Sequence, residues 1–466
     1  MDNFKLLING RLEAGDAQMD VINPATEQVL AACPRASRAQ LDRAIAAAKT
    51  AYPAWAAKDI AERRKALNVM ADIIEANADM LGRILTQEQG KPLKDAVGEA
   101  RALAANFRDF AKLPLDEKII EDGAKRHVKT RRRPLGVVAL IVPWNFPLVT
   151  LGSKIPPALL AGNTVVIKPA PTTPLATLAM GALLKDALPP GVMNIVADAN
   201  DLGGALTAHP DIAKISFTGS TATGRKVMEA ASHDIKRLTL ELGGNDAAIV
   251  LDDVDVKKSA SGIFAGAFRN SGQVCIAVKR LYVHESIYDA MVSELSALAK
   301  AAVVGDGLEQ GTQLGPLQNR MQYEKVKEIL ADAAKSGTVL ETSAVPPRGY
   351  FIAPTIVRDI AEGSRLVDEE QFGPVLPVIS YSDPEDALAR ANATPYGLGA
   401  SVWSSDPARA LKYAQRLEAG TVWINKHSEL AAHIPFGGAK QSGLGVERGE
   451  EGLAEFTQLQ VINAAV

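Results

Sequence analysis

Two cysteines in 466 residues, Cys33 and Cys275, exclude a disulfide framework. Their wide separation, with no histidine pair nearby, also gives no metal-binding pattern, and no metal is expected. No apolar run approaches the ~18 residues needed to span a bilayer. The N-terminal stretch also lacks a basic segment followed by an apolar core, so a cytoplasmic protein without membrane contact is expected. Charge of neither sign is in excess: 51 Lys and Arg against 54 Asp and Glu give a net charge of −3, with the basic residues spread along the chain. Binding a phosphate backbone needs concentrated positive charge, so nucleic acid is excluded as a partner. Internal repeats and low-complexity segments are lacking as well. What remains is 47% apolar and 23% charged residues, the balance of a globular enzyme, in a chain long enough for two or three domains with a crevice between them.

The N-terminal segment has strand-like runs at LLING and MDVINPATEQVLAACP. A helix then opens at Ser37, with Gln40 three residues on in capping-box spacing and Leu41, Ile45 and Ala48 on one face. Helical patterns continue through residues 61–113. From Val137 the texture changes to short apolar runs rich in β-branched residues, VVALIV, TVVIK, MNIVA, KISF and LTLE, separated by helix-like stretches. After Gly244 it repeats with AAIVL, RLYVH, PVISY and TVWIN. Strands alternating with helices predict two α/β units, each with a parallel sheet covered on both faces. The ending AEFTQLQVINAAV has strand character outside both sheets, and pairing with another subunit is expected of it.

Ligands of open α/β sheets bind beyond the carboxyl ends of the strands. After VVALIV, Pro143 and Pro147 fix the backbone around Trp144 and Asn145, a rigid loop presenting one amide that suits an oxyanion site or, equally, a turn with a buried Trp. After KISF, Gly219 and Gly224 flank small hydroxyl residues at a turn able to offer N–H groups to phosphate. That turn is neither G-x-G-x-x-G nor a Walker loop, and alone it reads as a tight turn. Glu241 ends the strand LTLE, where poor solvation raises a carboxyl pKa towards that of a general base. Cys275 follows Gly272 in NSGQVC, and a nucleophilic thiol there requires a pKa lowered by N–H groups or a cation. A Cys/His hydrolase would need a histidine base, and none of the six histidines stands in a recognisable motif. Cys33 reads as a core thiol.

PWNFP, FTGST, ELGGN, NSGQVC, EEQFGP and PFGGAKQSGLG occur in this order, and together they resemble the aldehyde dehydrogenase superfamily over about Ile8 to Val461. The resemblance implies a Rossmann-like cofactor domain (1–115 and 135–244), an α/β catalytic domain (245–441) and a small β oligomerisation extension (116–134 and 442–466), assembled as a homodimer or homotetramer. It implies Cys275 as nucleophile, Asn145 and the Cys275 main-chain N–H as oxyanion donors, and Glu241 as the base that hydrolyses a thioester. Lys154 and Glu447 match a charged pair that relays protons or braces the site. For NAD, Lys168 matches the ribose-binding residue, Gly219 and Ser220 the pyrophosphate turn, Glu370 and Phe372 the nicotinamide-ribose clamp, with Ile141 and Trp144 lining the groove.

Departures from the family pattern bear on detail. Pro171 stands where many NAD-specific members carry Glu, which leaves NADP possible with NAD favoured, and Asp198 replaces a common Gly beside the adenosine pocket. Thr150 and Ser153, with Ser428, Glu429 and Leu430, replace larger apolar or aromatic residues at the substrate mouth and predict a wider, more polar tunnel walled by Phe146 and Phe436. Arg269 matches a carboxylate-binding position of succinate-semialdehyde dehydrogenases, or is a surface arginine paired with a carboxylate; the second arginine of that subfamily would fall at Ser153. Uncharged aliphatic or aromatic aldehydes are therefore expected, with semialdehydes as the alternative. A non-hydrolytic acyl-transferring relative and a protein that kept the fold without catalysis are the rivals, disfavoured by Glu241 and by the retention of all the site residues.

Overall fold

The computed structural model describes residues 4–466. The capping box forms: Ser37 Oγ accepts the Gln40 N–H while the Gln40 side chain accepts the Ser37 N–H, starting the helix Arg38–Ala56. Leu41, Ile45 and Ala48 on one face of that helix are fully buried. Three further helices, Ile60–Ala76, Ala78–Gln89 and Leu93–Phe110, fill the span read as helical.

The five apolar runs from Val137 onward are adjacent parallel strands, Met193–Ile195, Thr164–Lys168, Val137–Ile141, Ile212–Thr218 and Arg237–Glu241 in spatial order. In chain order this is 3-2-1-4-5, the doubly wound arrangement, whose crossover reverses between Val137–Ile141 and Ile212–Thr218. Every residue of Val137–Ile141 and Thr164–Lys168 is buried, because helices cover both faces and an alternating pattern would leave polar groups inside. Two short N-terminal strands, Leu6–Ile8 and Arg11–Glu13, extend one edge, and Gly443–Leu444 pairs antiparallel with Arg237–Glu241 at the other. The MDVIN and EQVLAACP runs form a separate antiparallel ribbon.

A second sheet of seven strands carries the four runs expected after Gly244 and three more, Thr338–Val339, Thr355–Arg358 and Gly399–Trp403. The last lies between Asp246–Val250 and Thr421–Ile424, a central strand whose opening Gly-Ala-Ser gives no β signal. The tail strand Thr457–Ala465 finds its partner within the same chain, pairing antiparallel with all of Arg126–Pro134 and, through it, Lys118–Asp122. Its other edge meets no strand among the described residues, and Leu459 and Val461 are exposed on it.

Replacing Ser37 with Ala removes one cap partner and leaves the Gln40 N–H unsatisfied. Stability in urea should fall by about 1 kcal/mol with kcat unchanged. An unaltered midpoint would mean that the helix start is held by its packing alone.

Candidate active site

In a parallel pair the register fixes which residues stand side by side. Lys168 pairs with Ile141, Ile141 with Phe217, and Thr218 with Glu241, so the carboxyl edge of the first sheet presents these residues as a row. The loops leaving that edge, with segments from the second sheet, enclose a cavity of about 1550 Å³. Its lining includes Cys275, Glu241, Asn145, Glu447, Ile141, Trp144, Lys168, Pro171, Gly219, Ser220, Glu370, Phe372, Phe146, Thr150, Ser153, Arg269, Leu430 and Phe436. Of the residues expected at the site, Lys154 lies behind its wall, fully buried, and Asp198 and Glu429 also stand outside the lining.

Asn145 is fixed on both sides. Its main-chain O accepts from Lys91 Nζ (2.9 Å) and Asn270 Nδ2 (3.1 Å), and its Nδ2 donates to Gln273 O at 2.9 Å. An amide has two N–H groups, so one remains for a substrate oxygen. Just before the nucleophile, Asn270, Ser271 and Gly272 run through left-handed backbone at φ 50°, 55° and 71°. A Cβ at Gly272 would lie 2.2 Å from Gly373 O, so only glycine lets the chain pass there. Cys275 follows, packed with Phe146, Leu430, Phe436, Val274 and Ile276, and its main-chain N–H makes no hydrogen bond among the described residues.

Burial pushes the Cys275 thiol up to about 12, with the nearby Glu241, Asp246 and Glu370 carboxylates adding to the shift and Lys279 alone opposing it. Lys279 is the cation beside the thiol, and burial with the surrounding acids outweighs it. Glu241 is 4% exposed, and neither carboxylate oxygen has a hydrogen-bond partner. Burial, and next the charge of Glu447, raise its pKa well above the carboxylate range, against Lys154 and Arg448. Cys33, by contrast, is in the core with its thiol pushed up mainly by burial, an inert group as expected.

Lys154 and Glu447 form a buried ion pair, with Lys154 Nζ donating to Ser216 Oγ at 2.9 Å and Ser153 Oγ donating to Glu447 Oε2 at 2.6 Å. Ser153 is thus engaged in bracing Glu447, and the mouth is less polar there than expected. Ser428 likewise donates to Ile276 O at 2.7 Å, tying its loop to the nucleophile segment. Arg269 is exposed at the cavity wall, 5.6 Å from the Phe146 ring centroid, and has no ion pair among the described residues, against the surface pairing weighed above.

On the cofactor side, Lys168 Nζ lies 2.6 Å from the fully buried Asp198 carboxylate. Ser220 caps the twelve-residue helix Thr221–Ser232, whose first N–H groups open towards the cavity turn. Thr172 and Thr218 line the same wall with buried hydroxyls that have no partner. Glu370 accepts the Gly244 N–H at 3.0 Å and pairs with Lys279 at 3.3 Å, while Phe372 meets Trp144 edge-on at 5.4 Å. A helix N-terminus, orphan hydroxyls and a reachable ammonium fit a dinucleotide with a pyrophosphate and riboses. Arg448, buried in the wall with φ 64°, and Lys91 and Glu99 behind Asn145 carry no motif signal, while Asn270 opens the NSGQVC motif without a role of its own legible there.

A sheet edge built this way brings an acid, a thiol and an amide to one cavity, an arrangement able to support covalent chemistry at a cysteine. Residues 12–462 match the aldehyde dehydrogenase family model, and the chain belongs to that family. It is 39% identical to the mitochondrial aldehyde dehydrogenase of Leishmania tarentolae, over 99% of this chain and 95% of that one. Among solved structures, an NADP-dependent enzyme of E. coli superposes with a TM-score of 0.97 at 37% identity, covering 100% of this chain and 98% of the other. The NAD+ complex of aldehyde dehydrogenase from Bacillus cereus does so at 0.96 and 36%, covering 100% and 97%. The protein is an NAD(P)-dependent oxidoreductase that oxidises aldehydes. No helix among the described residues is long and apolar enough to cross a membrane.

Replacing Glu447 with Gln removes the charge that pushes Glu241 up and frees Lys154 to pull it down. Both changes favour the Glu241 carboxylate, so the acid limb of kcat against pH should move to lower pH. A limb left in place would show that Glu241 does not titrate in that step.

Proposed function

We propose that Cys275, Asn145 and Glu241 carry the oxidation of an aldehyde to its carboxylic acid, on the strength of one observation: a buried carboxylate without partners shares an apolar cavity with the thiol. The Cys275 thiol first gives up its proton to solvent, which leaves the Glu241 carboxylate free for the later step. The thiolate sulfur bonds to the aldehyde carbon, and the carbonyl electron pair moves to oxygen as a thiohemiacetal alkoxide, met by the second Asn145 N–H and the Cys275 N–H. A nicotinamide dinucleotide, when bound, accepts the hydride and leaves the carbon as a Cys275 thioester. Glu241 then takes a proton from water, the oxygen bonds to the acyl carbon, the C–S bond breaks, and the acid departs. Lys168, Pro171, Gly219, Ser220, Glu370, Phe372, Ile141 and Trp144 would hold the dinucleotide. The apolar walls Phe146, Leu430 and Phe436 support aliphatic and aromatic aldehydes. The unpaired Arg269 supports a semialdehyde reading, which Ser153, engaged with Glu447, leaves without a second arm. The separate sheet of Lys118–Asp122, Arg126–Pro134 and Thr457–Ala465 supports the extension assigned to 116–134 and 442–466, although Gly443–Leu444 pairs with the first sheet. The open edge at Leu459 and Val461 supports a homodimer or homotetramer, and two free thiols support a cytoplasmic setting.

Cys275→Ala should abolish turnover while NAD binding, followed by fluorescence, survives. Glu241→Gln placed in rapid mixing with excess aldehyde should give slow thioester hydrolysis, and normal steady-state turnover in either variant would sink the mechanism.

Cofactor preference follows from Asp198. Its carboxylate neutralises the Lys168 ammonium, which would otherwise attract a 2′-phosphate, while Pro171 supplies no repelling acid, so NAD is favoured and NADP tolerated. Asp198→Asn frees that ammonium and should tighten NADP by about tenfold, the scale of one charge-assisted contact, with NAD within about twofold. Titration of both dinucleotides measures it, and an unchanged ratio would place the discrimination elsewhere.

A further inference from the structure

Behind the oxyanion loop lies a charged cluster that the reaction scheme does not use. Lys91, 2% exposed, forms an ion pair with Glu99, whose side chain is equally buried. The Lys91 Nζ also donates to Asn145 O at 2.9 Å and sits 3.8 Å from the centroid of the Phe146 ring. The other oxygen of Glu99 accepts the N–H groups of Leu148 (2.9 Å) and Val149 (3.1 Å), at the start of the short helix Pro147–Gly152 that follows the loop. One ion pair therefore grips Trp144–Val149 at both ends, through a carbonyl before the turn and two amides after it. The pair is itself anchored: the Lys91 N–H donates to Gln89 Oε1 at 3.0 Å, and Leu93 N donates to Gly307 O of the second unit at 2.9 Å.

We propose that Lys91, held by Glu99, is a positioning residue that sets where the Asn145 amide meets the alkoxide. A buried ion pair is a poor source of stability, and apolar side chains of the same volume fill such space as well or better. What they would not do is hold a carbonyl that already carries the Asn270 amide at 3.1 Å, and so fix the Asn145 backbone against the chain leading to Cys275. The ammonium also directs positive charge through the Asn145 peptide towards the oxygen that becomes negative. A displacement near 1 Å in such a donor can cost about 10²-fold in rate. The proposal rests on the reading of Asn145 as oxyanion donor.

Lys91→Met tests it in the full-length enzyme, with circular dichroism and NAD titration to establish folding and cofactor binding. The first-turnover rate of reduced-cofactor formation should drop at least about tenfold, with the NAD Kd within about twofold. Lys91→Met combined with Asn145→Ala should be no slower than Asn145→Ala alone, since both act through one amide. A folded Lys91→Met with a wild-type first turnover, or a loss that adds to that of Asn145→Ala, overturns the proposal. An Asn145→Ala enzyme with a wild-type first turnover overturns the Asn145 reading itself. Should Lys91→Met not fold, Glu99→Gln gives the second measurement, because the amide oxygen still accepts from Leu148 and Val149. The groups acting on Lys91 are Glu99 and Asp95 from one helix and Arg269 from the nucleophile segment; burial lowers its pKa and Glu99 is the chief opposing charge. Without that charge the ammonium is lost at lower pH, so the alkaline fall of the first-turnover rate should move down in pH. A fall at the wild-type pH in this variant also overturns the proposal.

Discussion

A parallel ladder cannot be slid by one residue without turning every side chain to the opposite face. On that constraint the site depends. The pairings of Lys168 with Ile141, Ile141 with Phe217 and Thr218 with Glu241 put an ammonium, an apolar groove wall, the head of an N-H-rich turn and a buried carboxyl group along one edge. Apart from the neighbours Phe217 and Thr218, none of these residues is near another in sequence. Their spacing is set by strand separation, about 4.8 Å per step, and the stiffness of the buried sheet holds it.

Around that edge the ionic groups divide into paired and unpaired. Lys154 with Glu447, Lys168 with Asp198 and Lys91 with Glu99 are each matched at short range and buried. Among the buried carboxylates that line the cavity in the described residues, Glu241 alone is left with no hydrogen bond to either oxygen. An unsatisfied buried acid costs stability on its own account. The neighbouring pairs keep the cost local, because their charges are already compensated and their side chains cannot swing in to quench it. Glycine supplies the remaining room: a Cβ at Gly243 would lie 2.4 Å from the Glu370 carboxylate, and one at Gly244 2.8 Å from Cys275 O, so the turn after Glu241 can press against both.

How far the residues announced this varied with how local the governing physics is. The Ser37–Gln40 box and the continuous apolar runs of the first sheet depend on neighbours within a few residues, and both were legible. So were the loops with unusual chemistry, since PWNFP and ELGGN stand at strand ends. Gly399–Trp403 was not, because its strand character comes from being buried between two neighbours rather than from propensity. Ser153 was read as a mouth residue when its hydroxyl belongs to a glutamate 294 positions away. The raised Cys275 thiol and the Lys91 grip on Asn145 share that origin: each is the sum of groups brought together only by the fold, and no spacing in the chain records them.

The passage of Gly272 against Gly373 has a mechanical consequence. With 2.2 Å from an imagined Cβ to the facing carbonyl there is no slack between the segment that leads to Cys275 and the turn that carries Glu370 and Phe372. Close-packed backbone transmits displacement instead of absorbing it. Whatever covalent state the sulfur is in, a shift of its loop is delivered to the Glu370–Phe372 turn as a rigid push. The two loops are thereby geared to each other, and an insertion of even one methyl group between them would jam the train.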